Sequence, residues 1–548
     1  MTGRGRKQAL QRLFRPALWL IIFHIRVHPC SSVAGILSSI LLLSSFIPQA
    51  YAEEITVPEL YRQHCAECHG DNRLGGMGPA LLPAVMRRLE PEQAVGVIAE
   101  GRPATQMPAY GDKLSTTEIQ ALVDYIFTPP ATMPAWSESA IETTHRLLVP
   151  RDSLPVAPVH EADPLNMFVV VELGDHHASI LDGDSFEVLK RVPTRYALHG
   201  GPKYSPDGRF VYFASRNGWI AKFDMYSLQY VAEVRAGINT RNLAVSADGR
   251  YVMVANYLPN SLVLLDARDL RLLRIFEVAD DHGNGSRVSA VYDAPPRQSF
   301  IAALKDIPEV WEIRYADNPL PVYKGLMHDY RMEEGVIDRG PFPVRRIKLD
   351  DYLDDFFFDQ SYTHLIGAAR NASNGQVVHL DVGRKIAELE LDGLPHLGSG
   401  ITWEYQGRTV LATPHLKKGE VSIIDMENWK TIKRIKTEGP GFFMRSHENT
   451  PYAWVDVFFG PNRDKVHIID KRSLEIVRTL RPEPGKTAAH IEFDRNGEHA
   501  LLSIWDNEGA VIVYDAETLE EVRRLPMVKP SGKYNVHNKI TRSAGTSH

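Results

Sequence analysis

The chain reads as two domains of different class, a small all-α domain near the N-terminus and an all-β propeller filling the remainder. Three observations carry that expectation. Cys65-Ala66-Glu67-Cys68-His69 is a Cys-x-x-Cys-His run, which tethers a c-type haem through two thioethers and offers the adjacent imidazole to iron. The segments flanking it have the apolar spacing of helices. From Asn166 onward, short apolar strands are separated by a recurring turn: Tyr204-Ser205-Pro206-Asp207-Gly208-Arg209, Val245-Ser246-Ala247-Asp248-Gly249-Arg250 and Phe493-Asp494-Arg495-Asn496-Gly497. Strands also end alike, as in Ser179-Ile180-Leu181-Asp182, Val263-Leu264-Leu265-Asp266 and Ile512-Val513-Tyr514-Asp515. A repeat of about 40–50 residues is the period of propeller blades, so the roughly 380 residues available hold seven or eight of them. A sandwich or stacked domains would not explain the recurring Asp-Gly turn.

The N-terminus has the order of an export signal. Basic residues (Arg4, Arg6, Lys7, Arg12, Arg15) precede an apolar run from Val33 to Ile47 and a small-x-small cleavage site, Ala50-Tyr51-Ala52. Residues 1–52 are therefore expected to be a signal peptide, and the periplasm the destination. Of three cysteines, Cys30 lies in this leader, which leaves only the haem thiols and excludes a structural disulfide. A net charge of -6 gives no reason to expect a nucleic-acid partner.

Residues 53–130 form the expected haem domain. Val57 to His64 fits a helix that delivers the haem motif at its end. Leu74-Gly75-Gly76-Met77-Gly78-Pro79 is a loop, and Glu92 to Glu100 a short helix. Ser115-Thr116-Thr117-Glu118 has the pattern of a capping box and opens a last helix with Ile119, Leu122, Val123 and Ile126 as its apolar stripe. The second axial ligand is expected at Met107, in a Met-Pro turn that presents it rigidly, with Met77 and Met86 as alternatives. A zinc knuckle would need two more close ligands, and a thioredoxin-type pair has no use for His69. The proline-rich stretch 131–165 is expected to be a linker, and 166–548 the propeller, with an insertion between Asn284 and Arg346.

A haem domain ahead of a propeller resembles the cytochrome cd1 nitrite reductases and their relatives, which hold haem d1 in an eight-bladed propeller. The resemblance covers nearly all of the chain beyond the leader. Arg195-Tyr196-Ala197-Leu198-His199 resembles the segment carrying the proximal ligand of the haem d1 iron, which maps that ligand to His199. Gly237-Ile238-Asn239-Thr240-Arg241 resembles a pocket segment, and Arg216, Tyr257, Phe443 and Gly532-Lys533-Tyr534-Asn535 also fall on pocket positions. The chemistry agrees. Haem d1 carries several carboxylates, which planar guanidinium forks match, so Arg195, Arg216, Arg241 and Lys203 are candidate donors.

Departures from the reductase pattern redirect the expected function. Nitrite reduction in the family uses two distal histidines, and the corresponding positions here read Ile307 and Asp354. A carboxylate there would repel nitrite and cannot act as a cationic donor at neutral pH. The run Asp350 to Asp359 is similar to the NirN branch, associated with haem d1 biogenesis, which oxidises a propionate of dihydro-haem d1 to an acrylate. That chemistry needs a general base, for which His490 is the leading candidate and His447 the second. His396 and His415 are either structural or part of the site. Tyr110 is a candidate to reach from the haem c domain toward the second haem. The implied partners are the haem d1 precursor, haem d1 biogenesis proteins, cytochrome cd1 nitrite reductase as recipient, and a periplasmic electron acceptor. A non-catalytic haem d1 carrier and a nitrite reductase are the alternatives.

Overall fold

The computed structural model describes residues 55–102, 105–323, 336–369 and 374–541. The expected signal peptide, residues 1–52, lies outside them. Among the described residues, no helix is long and apolar enough to cross a membrane.

The haem domain is a set of short helices wrapped around one apolar cluster. Helix α1 (Val57–His64) starts at Thr56, whose hydroxyl and N–H both donate to Glu59 Oε2, at 2.7 and 3.2 Å. It runs through Cys65 into a single turn, α2 (Ala66–His69), so the haem motif itself is helical. Helix α3 (Pro91–Glu100) takes its proline in the first turn, where no N–H is missed. Helix α4 (Thr116–Phe127) opens on the expected box: Glu118 N–H donates to Ser115 Oγ at 3.3 Å, and Ser115 N–H to Glu118 Oε2 at 2.8 Å. Its stripe of Ile119, Leu122, Val123 and Ile126 is buried against Leu60, Tyr61, Ala94 and Ile98. Each such side chain contributes about 1.5–3 kcal/mol on burial.

The remainder is a ring of eight antiparallel blades. Seven are four-stranded and one gains a fifth strand. Ring closure is made by the C-terminal strand Pro530–Asn535, which becomes the innermost strand of the first blade by pairing with Phe168–Glu172 (Phe168 opposite Asn535, Val169 opposite Tyr534). Closure ties the end of the chain to the first blade, and the edges that remain are the short outer strands of the blades. Inner strands such as Ala488–Phe493 are buried throughout, whereas outer strands such as Lys430–Lys436 alternate exposed and covered residues.

Two segments differ from expectation. The 131–165 stretch, read as a linker from its prolines, carries helix α5 (Glu138–Thr144) and the strand Arg146–Leu147, which supplies that fifth strand by pairing with Ala232 and Glu233. Ile141 is buried with Ala232 and Leu243, and Trp136 Nε1 donates to Arg235 O at 2.8 Å. Prolines bound these elements without entering them. The insertion falls in the fourth blade, between its strands Glu309–Arg314 and Val344–Lys348, where Val322–Tyr323 pairs with Val336–Asp338.

The haem domain docks on the propeller through residues 74–88. Ala80, Leu82 and Val85 are buried together with Ile238 and Leu258 of the third blade.

Candidate functional site

At the haem motif, His69 Nδ1 lies 2.8 Å from Pro79 O. Donation from Nδ1–H to that carbonyl fixes the tautomer and leaves Nε2 as a metal ligand. Burial holds the imidazole below its ordinary range, which keeps it neutral. Gly78 is required here, because a Cβ would lie 2.5 Å from His69 Cε1. Cys65 and Cys68 are free thiols; burial, then the neighbouring Cys68, pushes Cys65 up to about 11. Met107 is half-buried against the same apolar cluster as Cys65, whereas Met86 lies inside that cluster and Met77 belongs to the loop docked on the propeller. Two thiols, a fixed imidazole and a thioether are a donor set that fits a c-type haem. Tyr110 does not span the domains as expected. Its hydroxyl donates to His64 O at 2.7 Å, inside the haem domain. Tyr196 does span them, donating to Glu67 O at 3.3 Å within the haem motif.

A second set of polar groups gathers at one end of the propeller channel, on the loops entering the inner strands. His199 Nδ1 lies 2.9 Å from Arg241 O, and Arg241 Nη1 lies 3.0 Å from His199 Nε2. Burial, reinforced by Arg216 and Arg241, holds His199 well below the usual imidazole range. Metal ligation at Nε2 therefore needs only that Arg241 turn aside. Arg216 is buried with Nε lacking any partner, and burial pulls it down to about 10. Tyr257 stacks between Arg216 and Arg287, at 5.8 and 5.7 Å. Burial alone would raise its phenol, but Lys305, Arg241, Arg216 and Arg287 outweigh that and bring it down to about 8. Lys203 is pulled to about 7 by burial, then by Lys539 and Arg445. Desolvated cations that no carboxylate pairs in these contacts, bonded to carbonyls or to His199 instead, fit a ligand with several carboxylates. The close approach at Gly201 (φ 69) belongs to the same wall, since a Cβ would lie 2.8 Å from Tyr534 Cε1.

Beyond Tyr534 stand His490, Phe443, Phe442 and His396 in turn. His396 stacks on Phe442 at 4.3 Å and bonds its carbonyl through Nδ1 at 2.5 Å, with Nε2 turned to Asp355 Oδ2 at 3.9 Å. His490 lies 4.5 Å from the Phe443 ring and 5.3 Å from that of Tyr534. Its φ is 53°, a left-handed conformation that it shares with hairpin residues such as Leu270 and Leu474 but adopts inside an inner strand. The surroundings over-determine that geometry. His490 N–H donates to Asp456 Oδ2 at 3.2 Å, its carbonyl accepts from Lys533 Nζ, and its Nδ1 accepts from Lys533 N–H at 3.3 Å. With Nδ1 accepting, the neutral ring carries its hydrogen on Nε2, and Nδ1 holds the lone pair that can take a proton. Burial, then Lys533, Arg445 and Lys539, holds the ring well below its usual range, so it stands deprotonated at neutral pH. Asp456, fully buried, is raised to about 6 by that burial. His415 is separate from this group, its ring bonded to Asp392 O and to Ser422 Oγ at 2.9 Å.

Three expected site residues sit elsewhere or act differently. Arg195 is spent on Glu233 at 2.5 Å and stacks over Trp219 at 4.1 Å, so it is a partly exposed blade residue and no donor to the channel pocket. His447 follows the inner strand Met444–Ser446, at the opposite end from Phe443, and faces the Asp494–Gly497 turn, where a Cβ on Gly497 would lie 2.3 Å from its Nδ1. It does not join His490. Asp354 is not a bare negative charge, because Lys305 Nζ and Arg88 Nη1 both reach its Oδ1. The repulsion expected of it is neutralised, and the loss of imidazole at Asp354 and Ile307 remains. Asp456, Phe442, Lys533 and Tyr196 were not singled out as site groups by sequence, except that Lys533 lay within a quoted pocket segment.

Comparison with known proteins follows this geometry. Residues 162–539 match the family described as Cytochrome D1 heme domain. The chain belongs to that family. Residues 55–126 match the cytochrome c family described as Cytochrome C oxidase, cbb3-type, subunit III. This cytochrome D1 protein is 55% identical to the dihydro-heme d1 dehydrogenase of Pseudomonas aeruginosa, over 91% of this chain and 97% of the relative. It is 25% identical to the nitrite reductase of Stutzerimonas stutzeri, over 93% and 98% of the two chains. A solved structure of dihydro-heme d1 dehydrogenase NirN in complex with DHE superposes with a TM-score of 0.73 at 55% identity, covering 88% of this chain and 100% of that one. The architecture is thus a cytochrome c domain followed by an eight-bladed haem d1-type propeller.

Proposed function

We infer that this protein is a dihydro-haem d1 dehydrogenase, acting in the periplasm at the end of haem d1 formation. The observation that carries the reading is the 55% identity to the Pseudomonas aeruginosa dehydrogenase, which extends through both domains rather than the propeller alone. The reaction converts a propionate side chain to an acrylate with loss of two protons and two electrons. Haem c, when bound, supplies a one-electron carrier, and a periplasmic acceptor takes each electron onward.

The protein's own groups do the rest. Arg216, Arg241 and Lys203 supply the cations that hold the substrate carboxylates, and His199 the proximal imidazole. His490 takes a proton at Nδ1, the nitrogen that holds the lone pair of the neutral ring, in exchange for its 3.3 Å bond from Lys533 N–H. Phe443 and Tyr534 fix the plane of that ring and exclude water around it. Neighbouring cations that keep His490 uncharged also make it reluctant to retain the proton, which favours release over trapping. The product is passed to cytochrome cd1 nitrite reductase.

Anaerobic mixing with dihydro-haem d1, followed by mass analysis of the tetrapyrrole, tests this. A loss of two mass units is expected, with haem c reduced in step. An unchanged mass would make the protein a haem d1 carrier.

A further inference from the structure

The docking turn of the haem domain makes a set of polar contacts that the proposed chemistry does not use. Arg88 Nη1 donates to Lys305 O at 2.9 Å and lies 3.4 Å from Asp354 Oδ1. Its guanidinium carbon stands 4.4 Å from the centroid of the Tyr352 ring. Arg87 Nη1 donates to Gly285 O at 2.9 Å. One turn of the haem domain is thus gripped by the loop entering the fourth blade, the hairpin between that blade's second and third strands, and the loop entering the fifth, on the rim that carries the pocket. The side chains of Arg88, Lys305 and Asp354 are only 20%, 19% and 10% exposed, so solvent screens them little. Lys305 already neutralises Asp354 within the propeller. Arg88 is therefore not needed for charge balance there, and what it adds is a bond between the domains.

We propose that Asp354 is a positioning residue: held by Lys305, it clamps Arg88 and fixes the haem c domain on the rim of the channel. This rests on the dehydrogenase reading, in which electrons must cross from the channel to haem c. Among the described residues the interface also holds the apolar group around Val85, the Tyr196 bond to Glu67 and the Asn239 bond to Gly76 at 3.5 Å. None of these has two charges on it. The clamp is the contact able to set orientation, and a misplacement of about 1 Å can cost on the order of 10²-fold in rate.

Arg88→Gln and Asp354→Asn, alone and together, test the clamp in protein carrying covalent haem c. Arg88 lies outside the pocket, so Arg88→Gln should bind dihydro-haem d1 as the wild type does. Haem c should then be reduced about tenfold or more slowly after anaerobic mixing, and the double variant should be no slower than Asp354→Asn alone, since both remove one interaction. A second readout needs no turnover. Hydrogen exchange at amides 284–288 and 305–306, which the docked turn covers, should speed up in Arg88→Gln without tetrapyrrole present. A wild-type rate of haem c reduction in Arg88→Gln overturns the positioning role, whether or not exchange rises. Additive effects in the double variant overturn it as well. If the wild type itself fails to convert the substrate, the dehydrogenase reading fails, and unchanged exchange would still be needed to remove the clamp.

Discussion

Replacing His490 by Asn separates binding from chemistry with little structural cost. The side-chain oxygen of Asn can sit near the position of Nδ1 and keep the bond from Lys533 N–H, now 3.3 Å. Asn also tolerates the left-handed backbone, with φ at 53°. The basic ring nitrogen is what disappears. A general base contributes about 10²–10⁴-fold to rate, or about 3–5 kcal/mol of transition-state stabilisation at about 1.36 kcal/mol per decade. Ground-state affinity should change little, because the pocket cations Arg216, Arg241 and Lys203 are untouched. His490→Ala is the poorer probe: it strands the buried Lys533 N–H, at about 1–3 kcal/mol, and mixes stability with chemistry. The assay is anaerobic single turnover, following the two-unit mass loss and the reduction of haem c together, beside a binding titration. Conversion at the wild-type rate would refute the base assignment and pass the role to another channel group, though not to His447 at the far end. Loss of binding would refute it too, making the imidazole an anchor.

Met107→Ala should lower the haem c reduction potential and change its low-spin spectrum, since a thioether ligand favours the reduced iron; an unaltered spectrum would move the ligand to another residue. His199→Ala should perturb the bound tetrapyrrole's spectrum and weaken its retention while leaving haem c unaffected, and untouched binding would contradict the pocket as described. Stability should depend on pH through the buried imidazoles. Burial holds His199, His396 and His490 below the ordinary value near 6.5, so on acidification the unfolded chain takes up protons before the folded one does. Stability is therefore present above about pH 6.5 and lost as pH falls below it. Asp456, raised to about 6 from 3.8, works in the opposite sense between those values. The clean measurement is the slope of melting temperature between pH 7 and pH 5, which His490→Asn should flatten; an unchanged slope would contradict a neutral, buried ring.

What the sequence determined alone was everything written within a few neighbouring residues. Haem attachment needs two thiols and an imidazole within five positions, so Cys65, Cys68 and His69 could be read directly. The cap at Ser115 and Glu118 spans one helical turn, and each Asp-Gly turn lies between the strands it joins, so both were legible. The family resemblance added the blade number and placed His199, Arg216, Arg241, Tyr257 and Phe443 as pocket candidates. Tertiary structure decided which look-alike residues share a cavity. Arg195 and Arg216 flank similar short strands, yet one pairs with Glu233 on the flank of its blade and the other ends buried without a partner for Nε. His447 and His490 both belong to inner-strand segments, yet one follows its strand and the other lies near the start of its own, at opposite ends of the channel. The contacts that build the site join neighbouring blades, as Arg241 to His199 and Lys533 to His490 do, or the two domains, as Arg88 to Asp354 does. A propeller makes such pairs by closing a ring, and ring closure, here Pro530–Asn535 against Phe168–Glu172, depends on the summed packing of every blade rather than on any local signal.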